Sequence, residues 1–151
     1  MMLQEKLMAD LKEVMKAGDK TRLEVIRMVR ARIKNAEIAK QKILDDSDVL
    51  DVIAREVKQR RESIAEFKKA DRQDLVSKEE AELAILLEYL PQQMSREEIL
   101  AAARRVIEEV GARGPGDKGK VMQSLIPQLK GKAEGRDINE VVTELLSGST
   151  G

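Results

Sequence analysis

Aromatic side chains are almost absent from this chain: Phe67 and Tyr89 are the only two among 151 residues, and tryptophan does not occur. A hydrophobic core must therefore consist of Leu, Ile, Val, Met and Ala, a mixture that suits packing between helices better than a sheet. The apolar share of 42% is too high for a disordered chain, although 37% of the residues are charged. The composition predicts an all-α protein built from long, solvated helices.

Apolar residues recur at helical spacing in seven segments, which we predict to be helices. These segments are residues 2–17, 20–42, 48–70, 72–90, 96–110, 117–130 and 137–146. We predict caps at Asp19, Ser47 and Ser95, and a second capping box at Asp137–Glu140. Pro127 predicts a bend or local break in the sixth helix, because proline removes a helical hydrogen bond.

Pro91 divides the predicted helices into two groups, because the residue before a proline disfavours the helical conformation. The fold that we predict is a bundle of four long helices at residues 1–91 followed by a small three-helix domain at residues 95–147. The polar and glycine-rich end, residues 148–151, is predicted to be a disordered tail.

The residue types that most often perform catalysis or bind metals are missing. No cysteine and no histidine occur, which excludes thiolate metal sites and the commonest general base. The acids Asp45, Asp46, Asp48 and Asp51 lack the glycine and terminal glutamate of a calcium loop, so we interpret them as helix-capping residues. We predict no catalytic residues, no metal and no cofactor.

The cellular location is also inferred from absences. No apolar run approaches the roughly 20 residues of a membrane span, and the first residues show no signal-peptide core. A cysteine-free composition is typical of a reducing compartment. These features predict a cytoplasmic protein that does not enter a membrane.

A basic, glycine-containing segment near the C-terminus is the best candidate for a binding site. Between Arg113 and Lys132 the single acid is Asp117, and the basic residues are Arg113, Lys118, Lys120, Lys130 and Lys132. Gly119 and Gly131 allow a partner to approach the backbone closely, so the segment is suited to phosphate contacts. The alternative is structural: Lys130 interacts with a helix dipole, and the glycines cap helices.

A second basic face is predicted on the second helix, where Arg27, Arg30 and Lys34 lie at helical spacing. Such a face is more often solvated, or neutralised by acids of neighbouring helices; the candidates here are Glu62, Glu66 and Glu88. Arg60 and Arg61 interrupt the apolar stripe of the third helix. Either the helix leaves the core there, or Arg60 forms a buried ion pair with an acid of a neighbouring helix, and we favour a structural ion pair over a ligand site.

Three stretches of the chain resemble a known family. The first reads Lys-Gln-Arg-Arg-Glu-Ser-Ile at residues 58–64 and continues through Phe67, Ala70, Arg72, Asp74 and Leu75. The second is Glu-Leu-Ala-Ile-Leu at residues 82–86, leading into Tyr89, Leu90 and Pro91. Both resemble the first domain of the YqeY proteins. The third, Gly-Lys-Val-Met at residues 119–122 followed by Pro127, Lys130, Gly131, Lys132, Ala133, Gly135, Asn139 and Val142, resembles the tail domain shared by YqeY and the GatB subunit of tRNA-dependent amidotransferases.

This resemblance implies a function in RNA docking rather than in chemistry. The GatB tail is a helical module that contacts tRNA, so a stand-alone relative is expected to bind tRNA or another structured RNA. The family is also associated with carbon–nitrogen ligation that uses glutamine as the amide donor. Two alternatives stay open: an adaptor that docks a protein of the translation or amidation machinery, and an amidotransferase accessory with enzymatic activity.

Overall fold

The computed structural model describes residues 2–148, and all regular structure within this range is helical, as the composition predicted. Seven α-helices follow one another along the chain. They are α1 (Met2–Ala17), α2 (Lys20–Lys40), α3 (Asp46–Lys69), α4 (Gln73–Leu87), α5 (Arg96–Val110), α6 (Lys118–Leu129) and α7 (Gly135–Leu146). A single 3-10 turn, Pro115–Asp117, precedes α6. No helix in residues 2–148 combines the length and the apolar character needed to cross a bilayer.

The described residues form two compact units that divide between Leu90 and Pro91. In the first unit, α3 packs chiefly against α4 and α1 against α2. Its core is aliphatic, with fully buried side chains that include Leu44, Val49, Ile53 and Leu86. Burial of this many branched aliphatic side chains supplies the main stabilisation of the unit.

In the second unit, α5, α6 and α7 pack against one another. They bury Ala103, Val106, Val121, Leu125 and Val141 completely. Residues 92–94, which lie between the two predicted domains, belong to this unit. Within it, the Met94 N–H donates to the Lys132 carbonyl at 2.8 Å. Of the predicted disordered tail, only Gly148 lies within the described residues.

Two of the predicted caps are confirmed. The Asp19 side chain accepts a hydrogen bond from the Arg22 N–H. Ser95 and Glu98 form a complete capping box at the start of α5. These interactions satisfy backbone donors that have no partner inside the helix, and each contributes about 1 kcal/mol.

Two other predicted caps are wrong. Asp45, not Ser47, caps α3: its carboxylate accepts from the Asp48 N–H, and the helix begins at Asp46. The predicted capping box at Asp137 does not form, because α7 begins two residues earlier, with Glu134 at the N-cap position. In both cases an acid upstream of the predicted cap adopts the extended backbone that a cap requires.

The predicted C-terminal ends of α2 and α4 lie two to three residues too far along the chain. Gln41 adopts a left-handed conformation with φ 55° and ends α2. After Leu87 the chain continues with tighter bonds, in which Glu88, Tyr89 and Leu90 each donate to the carbonyl three residues earlier. Tyr89 remains buried, so the apolar pattern continues beyond the end of the helix. Pro127 lies inside α6, which continues past it to Leu129.

Candidate nucleic-acid interface

The start of the basic segment is held by Asp117. Its carboxylate Oδ2 accepts from the Arg113 N–H at 2.9 Å, and its own N–H donates to the Gly114 carbonyl. The 3-10 turn then leads directly into α6, with Lys118 and Lys120 in the first turn of that helix. Because Asp117 bonds to backbone, the one acid of the segment is not engaged by a lysine or arginine side chain.

The predicted basic residues lie at the two ends of α6. Lys118 and Lys120 occupy the beginning of this 12-residue helix, and Lys130 and Lys132 follow its end, about 18 Å away along the axis. The buried stripe of the helix is Val121, Leu125 and Leu129. Lys120 projects from the opposite side of the helix, whereas Lys118 lies on the side of Val121 and is half-buried. The structure therefore divides the cations between the two ends of α6 rather than bringing them into one cluster, and at the first end Lys118 and Lys120 point to different sides of the helix.

The second group lies in a loop with a defined conformation. Gly131 has φ 77°, a left-handed conformation that favours glycine. Gln93 donates to the Gly131 carbonyl at 2.8 Å, and Met94 donates to that of Lys132. Gly131 therefore has a structural role, as the alternative interpretation of the glycines proposed.

The cations differ in how far acids neutralise them. Elsewhere in the unit, Arg96 pairs with Glu144 and Arg105 with Glu109. By contrast, no carboxylate of residues 2–148 lies within ion-pairing distance of Arg113, Lys118, Lys120 or Lys132, and Lys130 already has a polar or electrostatic partner. Four of the five predicted cations thus remain available to an external anion.

Arg104 was not among the residues predicted for the interface. This exposed residue of α5 and Arg113 line one cleft of about 320 Å³, together with Glu108 and Leu145. Arg104 and Arg113 are separated in sequence by the turn at Gly111, which has φ 68° and ends α5. The end of α5 could be predicted from the sequence. The direction of the chain after the turn, which places Arg113 beside Arg104 in the cleft, could not.

Gly119 and Gly131 differ in backbone conformation, so replacement by alanine should affect stability in opposite directions at the two positions. Gly119 is helical, and a Cβ built on it meets no atom within 4 Å. Because glycine weakens an exposed helix, we expect Gly119→Ala to stabilise the second unit by about 0.5–1 kcal/mol. Gly131→Ala should destabilise it by about 1 kcal/mol, because alanine is strained at a positive φ.

Hydrogen exchange of the α6 backbone amides measures both effects locally. Loss of protection in Gly119→Ala would contradict the expectation that this position tolerates a side chain. Gly131→Ala, in the loop at the other end of α6, serves as the control of opposite sign.

The second predicted face, on α2, is not neutralised by the acids that we named. Glu88 forms a bidentate pair with Arg22, at 2.7 and 2.9 Å, and Glu66 pairs with Lys69. Within residues 2–148, no carboxylate lies in ion-pairing range of Arg27, Arg30 or Lys34. Arg27 and Lys34 are exposed, and Arg30 is half-buried.

Acidic side chains do not converge on a metal site in the part of the chain that the structure describes. In the aspartate group at the start of α3, Asp45 caps the helix, Asp46 accepts from the Leu3 N–H, and Asp48 pairs with Lys42. The capping interpretation of this group is correct for Asp45.

Comparison with known families agrees with the resemblance that the sequence suggested. The family model described as Yqey-like protein matches residues 4–146, nearly the whole chain. The chain belongs to this family. Membership in the YqeY-like family covers both compact units, because the match begins in α1 and ends at the last residue of α7.

Curated relatives of this YqeY-like chain carry the name altered inheritance of mitochondria protein 41, mitochondrial. The protein of Pyrenophora tritici-repentis is 34% identical over 133 residues, which are 85% of this chain and 71% of the relative. That of Kluyveromyces lactis is 43% identical over 113 residues, and that of Lachancea thermotolerans 39% over 112. In both, the match covers 72% of this chain but 60% of the relative, so the chain spans less than two thirds of their length.

These names contradict our prediction of a cytoplasmic protein, because all three relatives are described as mitochondrial. The prediction relied on the lack of cysteine, of long apolar runs and of a signal-peptide core. None of these features distinguishes the cytoplasm from another reducing compartment, so they carried too little information for that conclusion.

Proposed function

We propose that this YqeY-like chain is an RNA-docking module. Its three C-terminal helices act as a GatB-tail-like domain that binds structured RNA, with tRNA as the first candidate, and its four N-terminal helices form a bundle that carries this domain. The observation that supports the proposal most directly is that most cations of the basic segment lack a carboxylate partner within the described residues. Arg113, Lys118, Lys120 and Lys132 have no carboxylate partner in residues 2–148.

The arrangement of the cations favours contacts with phosphates over contacts with bases. Two groups about 18 Å apart along α6 match a polyanion that extends beyond one phosphate. Phe67 and Tyr89 are the only aromatic residues, and both precede Pro91, so the second unit offers no ring on which a base could stack. Recognition by shape and phosphate charge is therefore expected, as for double-stranded regions of RNA.

Lysine removal tests this function. We expect the variant Lys118→Ala/Lys120→Ala/Lys130→Ala/Lys132→Ala to bind total tRNA at least about tenfold more weakly than the unmodified chain at low salt. For the unmodified chain, the logarithm of the affinity should fall with that of salt concentration with a slope of roughly −3, as expected for about four phosphate contacts. The variant should show a shallower slope. Gel shifts or fluorescence anisotropy at several salt concentrations measure both quantities.

The control removes the same charge from the first unit. Four exposed lysines without a carboxylate partner in the described chain are replaced by alanine: Lys12, Lys16, Lys58 and Lys78. This control should retain most of the affinity. Equal losses in the two variants would show that binding follows overall charge and would contradict the assignment of the interface to α6.

A protein adaptor is the second candidate function. It is favoured by the overall charge, since the chain carries 28 basic and 28 acidic residues, whereas dedicated nucleic-acid-binding domains are usually basic. A protein that co-purifies with the chain after thorough nuclease treatment, and that the four-lysine variant still retains, would support this function over RNA docking.

A further inference from the structure

A small cleft between α1 and α2 has the features of a ligand site. Its volume is about 190 Å³, below the range typical of sites for drug-sized molecules. It lies in the first unit, away in sequence from the basic segment of α6. Its lining residues are Gln4, Leu7, Arg30, Ile33, Lys34 and Glu37.

One side of the cleft carries two cationic side chains that have no carboxylate partner within the described residues. Arg30 and Lys34 are four residues apart on α2, so their side chains lie next to each other on the helix surface. Arg30 is half-buried, and no carboxylate of residues 2–148 is within ion-pairing distance of either residue. A guanidinium partly withdrawn from water loses hydration, and a bound anion would compensate that loss.

The acid of the cleft is held away from these cations. Glu37 Oε2 accepts from the Leu44 N–H at 2.9 Å and from Gln4 Nε2 at 3.0 Å. The bond from Leu44 and then the bond from Gln4 lower the pKa of Glu37, so this side chain is a carboxylate at neutral pH. Both bonds fall on Oε2, which leaves Oε1 as an acceptor for an external donor.

We propose that this cleft binds a small zwitterion with the chemistry of a free α-amino acid. The ligand carboxylate contacts Arg30 and Lys34, and its ammonium group donates to Glu37. Leu7 and Ile33 are almost fully buried beneath the cleft, at 1% and 3% exposure, and form an apolar floor.

The same features disfavour a phosphate polymer at this position. The Glu37 carboxylate would repel phosphates, and a cleft of about 190 Å³ is too small for a nucleic-acid backbone. The inference is therefore independent of the RNA-docking function proposed for the second unit.

The test is an NMR titration of the full chain with each standard amino acid and, separately, with inorganic phosphate. We expect at least one amino acid to shift the signals of Gln4, Lys34 and Leu44 and to saturate with a Kd of about 0.1–1 mM. Phosphate should bind at least about tenfold more weakly. No shift at these residues with any amino acid up to roughly 10 mM would overturn the proposal.

Two variants test the assigned contacts. Arg30→Gln and Glu37→Gln should each weaken binding of the amino acid by at least about tenfold, because each removes a charge-assisted hydrogen bond. Gln at position 37 keeps a carbonyl oxygen for the Leu44 N–H, so the loop after α2 should retain its protection from hydrogen exchange.

Arg27→Gln is the matched control, because Arg27 is an exposed cation of α2 that does not line the cleft. It should leave binding unchanged. The proposal fails if Arg27→Gln weakens binding as much as Arg30→Gln does. It also fails if phosphate binds as tightly as the amino acids and Glu37→Gln strengthens phosphate binding, since the cleft would then be a simple anion site.

Discussion

Replacing Arg60 by methionine should destabilise the first unit by about 3 kcal/mol. Arg60 Nη1 lies 2.7 Å from Glu79 Oε2 and 2.5 Å from Glu82 Oε2. The side chains of Arg60, Glu79 and Glu82 are 15%, 19% and 8% exposed. Methionine fills a similar volume but leaves two carboxylates with little access to water and no counter-charge, which is the costly part of breaking a buried ion pair.

Arg60 is the cation that neutralises both Glu79 and Glu82. Arg60 Nη2 contacts the sulfur of Met28 at 3.1 Å, and its Nε is buried without a hydrogen-bond partner in the described chain. The guanidinium is therefore not optimally satisfied, so the ion pair itself contributes modestly. The expected loss comes mainly from the acids that remain.

Tyr89 provides a fluorescence probe for this measurement, because it is the only tyrosine of the chain and tryptophan does not occur. Tyr89 is buried in the first unit. Urea denaturation followed by tyrosine fluorescence therefore reports on that unit alone. Lys58→Met, at an exposed position of the same helix, should change the free energy of unfolding by less than about 0.5 kcal/mol.

A triple variant with Glu79→Gln and Glu82→Gln added to Arg60→Met should recover a large part of the loss, since no unpaired charge remains. If Arg60→Met lowers the free energy of unfolding no more than Lys58→Met does, the ion pair lies in a solvated, high-dielectric environment. The expected loss of about 3 kcal/mol is then wrong.

The prediction that Arg60 forms an ion pair was confirmed, but its partners could not be chosen from the sequence. The apolar stripe of α3 showed that Arg60 points toward a neighbour. Residues 62–90 contain eight acids, and selecting Glu79 and Glu82 requires the register of α4 against α3. That register depends on packing between segments about 20 residues apart, for which no local pattern exists.

The sequence predicted best those features that depend on interactions between neighbouring residues. The capping box at Ser95 and the stop at Gly111 depend on a few neighbouring residues, and both were readable. Lys118 and Lys132 were also identified from the sequence as candidate interface residues. The sequence could not show whether acids neutralise these lysines, because that depends on which partners the nearby acids choose. Asp117 bonds to backbone, and Glu144 pairs with Arg96.

Stability of the first unit should fall as the pH rises above 10, because of Tyr89. Its phenol O–H donates to Asp10 Oδ2 at 2.5 Å. Burial, followed by the hydrogen bond to Asp10, raises the pKa of Tyr89 well above its ordinary value of 10.0. In the unfolded chain the phenol ionises near pH 10, whereas in the folded chain it keeps its proton to higher pH.

The direction of the effect follows from the proton count. Above pH 10 the folded state binds more protons than the unfolded state, so the free energy of unfolding decreases, by up to about 1.4 kcal/mol per pH unit. The stabilisation is fully present below pH 10 and is lost as the pH rises through the folded-state pKa. Because the Asp10 side chain is 32% exposed, solvent screening reduces the effect, and we expect a loss of about 1–2 kcal/mol.

Tyr89→Phe isolates the contribution of the phenol from that of neighbouring charged groups such as Lys6, whose ammonium lies 5.4 Å from the Tyr89 ring centre. At neutral pH the unmodified chain should be more stable than Tyr89→Phe by about 1 kcal/mol, the contribution of one hydrogen bond. This difference should shrink above pH 10. Urea denaturation followed by far-ultraviolet circular dichroism measures it in both proteins, and phenolate absorbance of the unmodified chain gives the titration directly. A stability difference that stays constant with pH, or a phenol that ionises near pH 10 in the folded chain, would show that Asp10 and burial do not hold the proton.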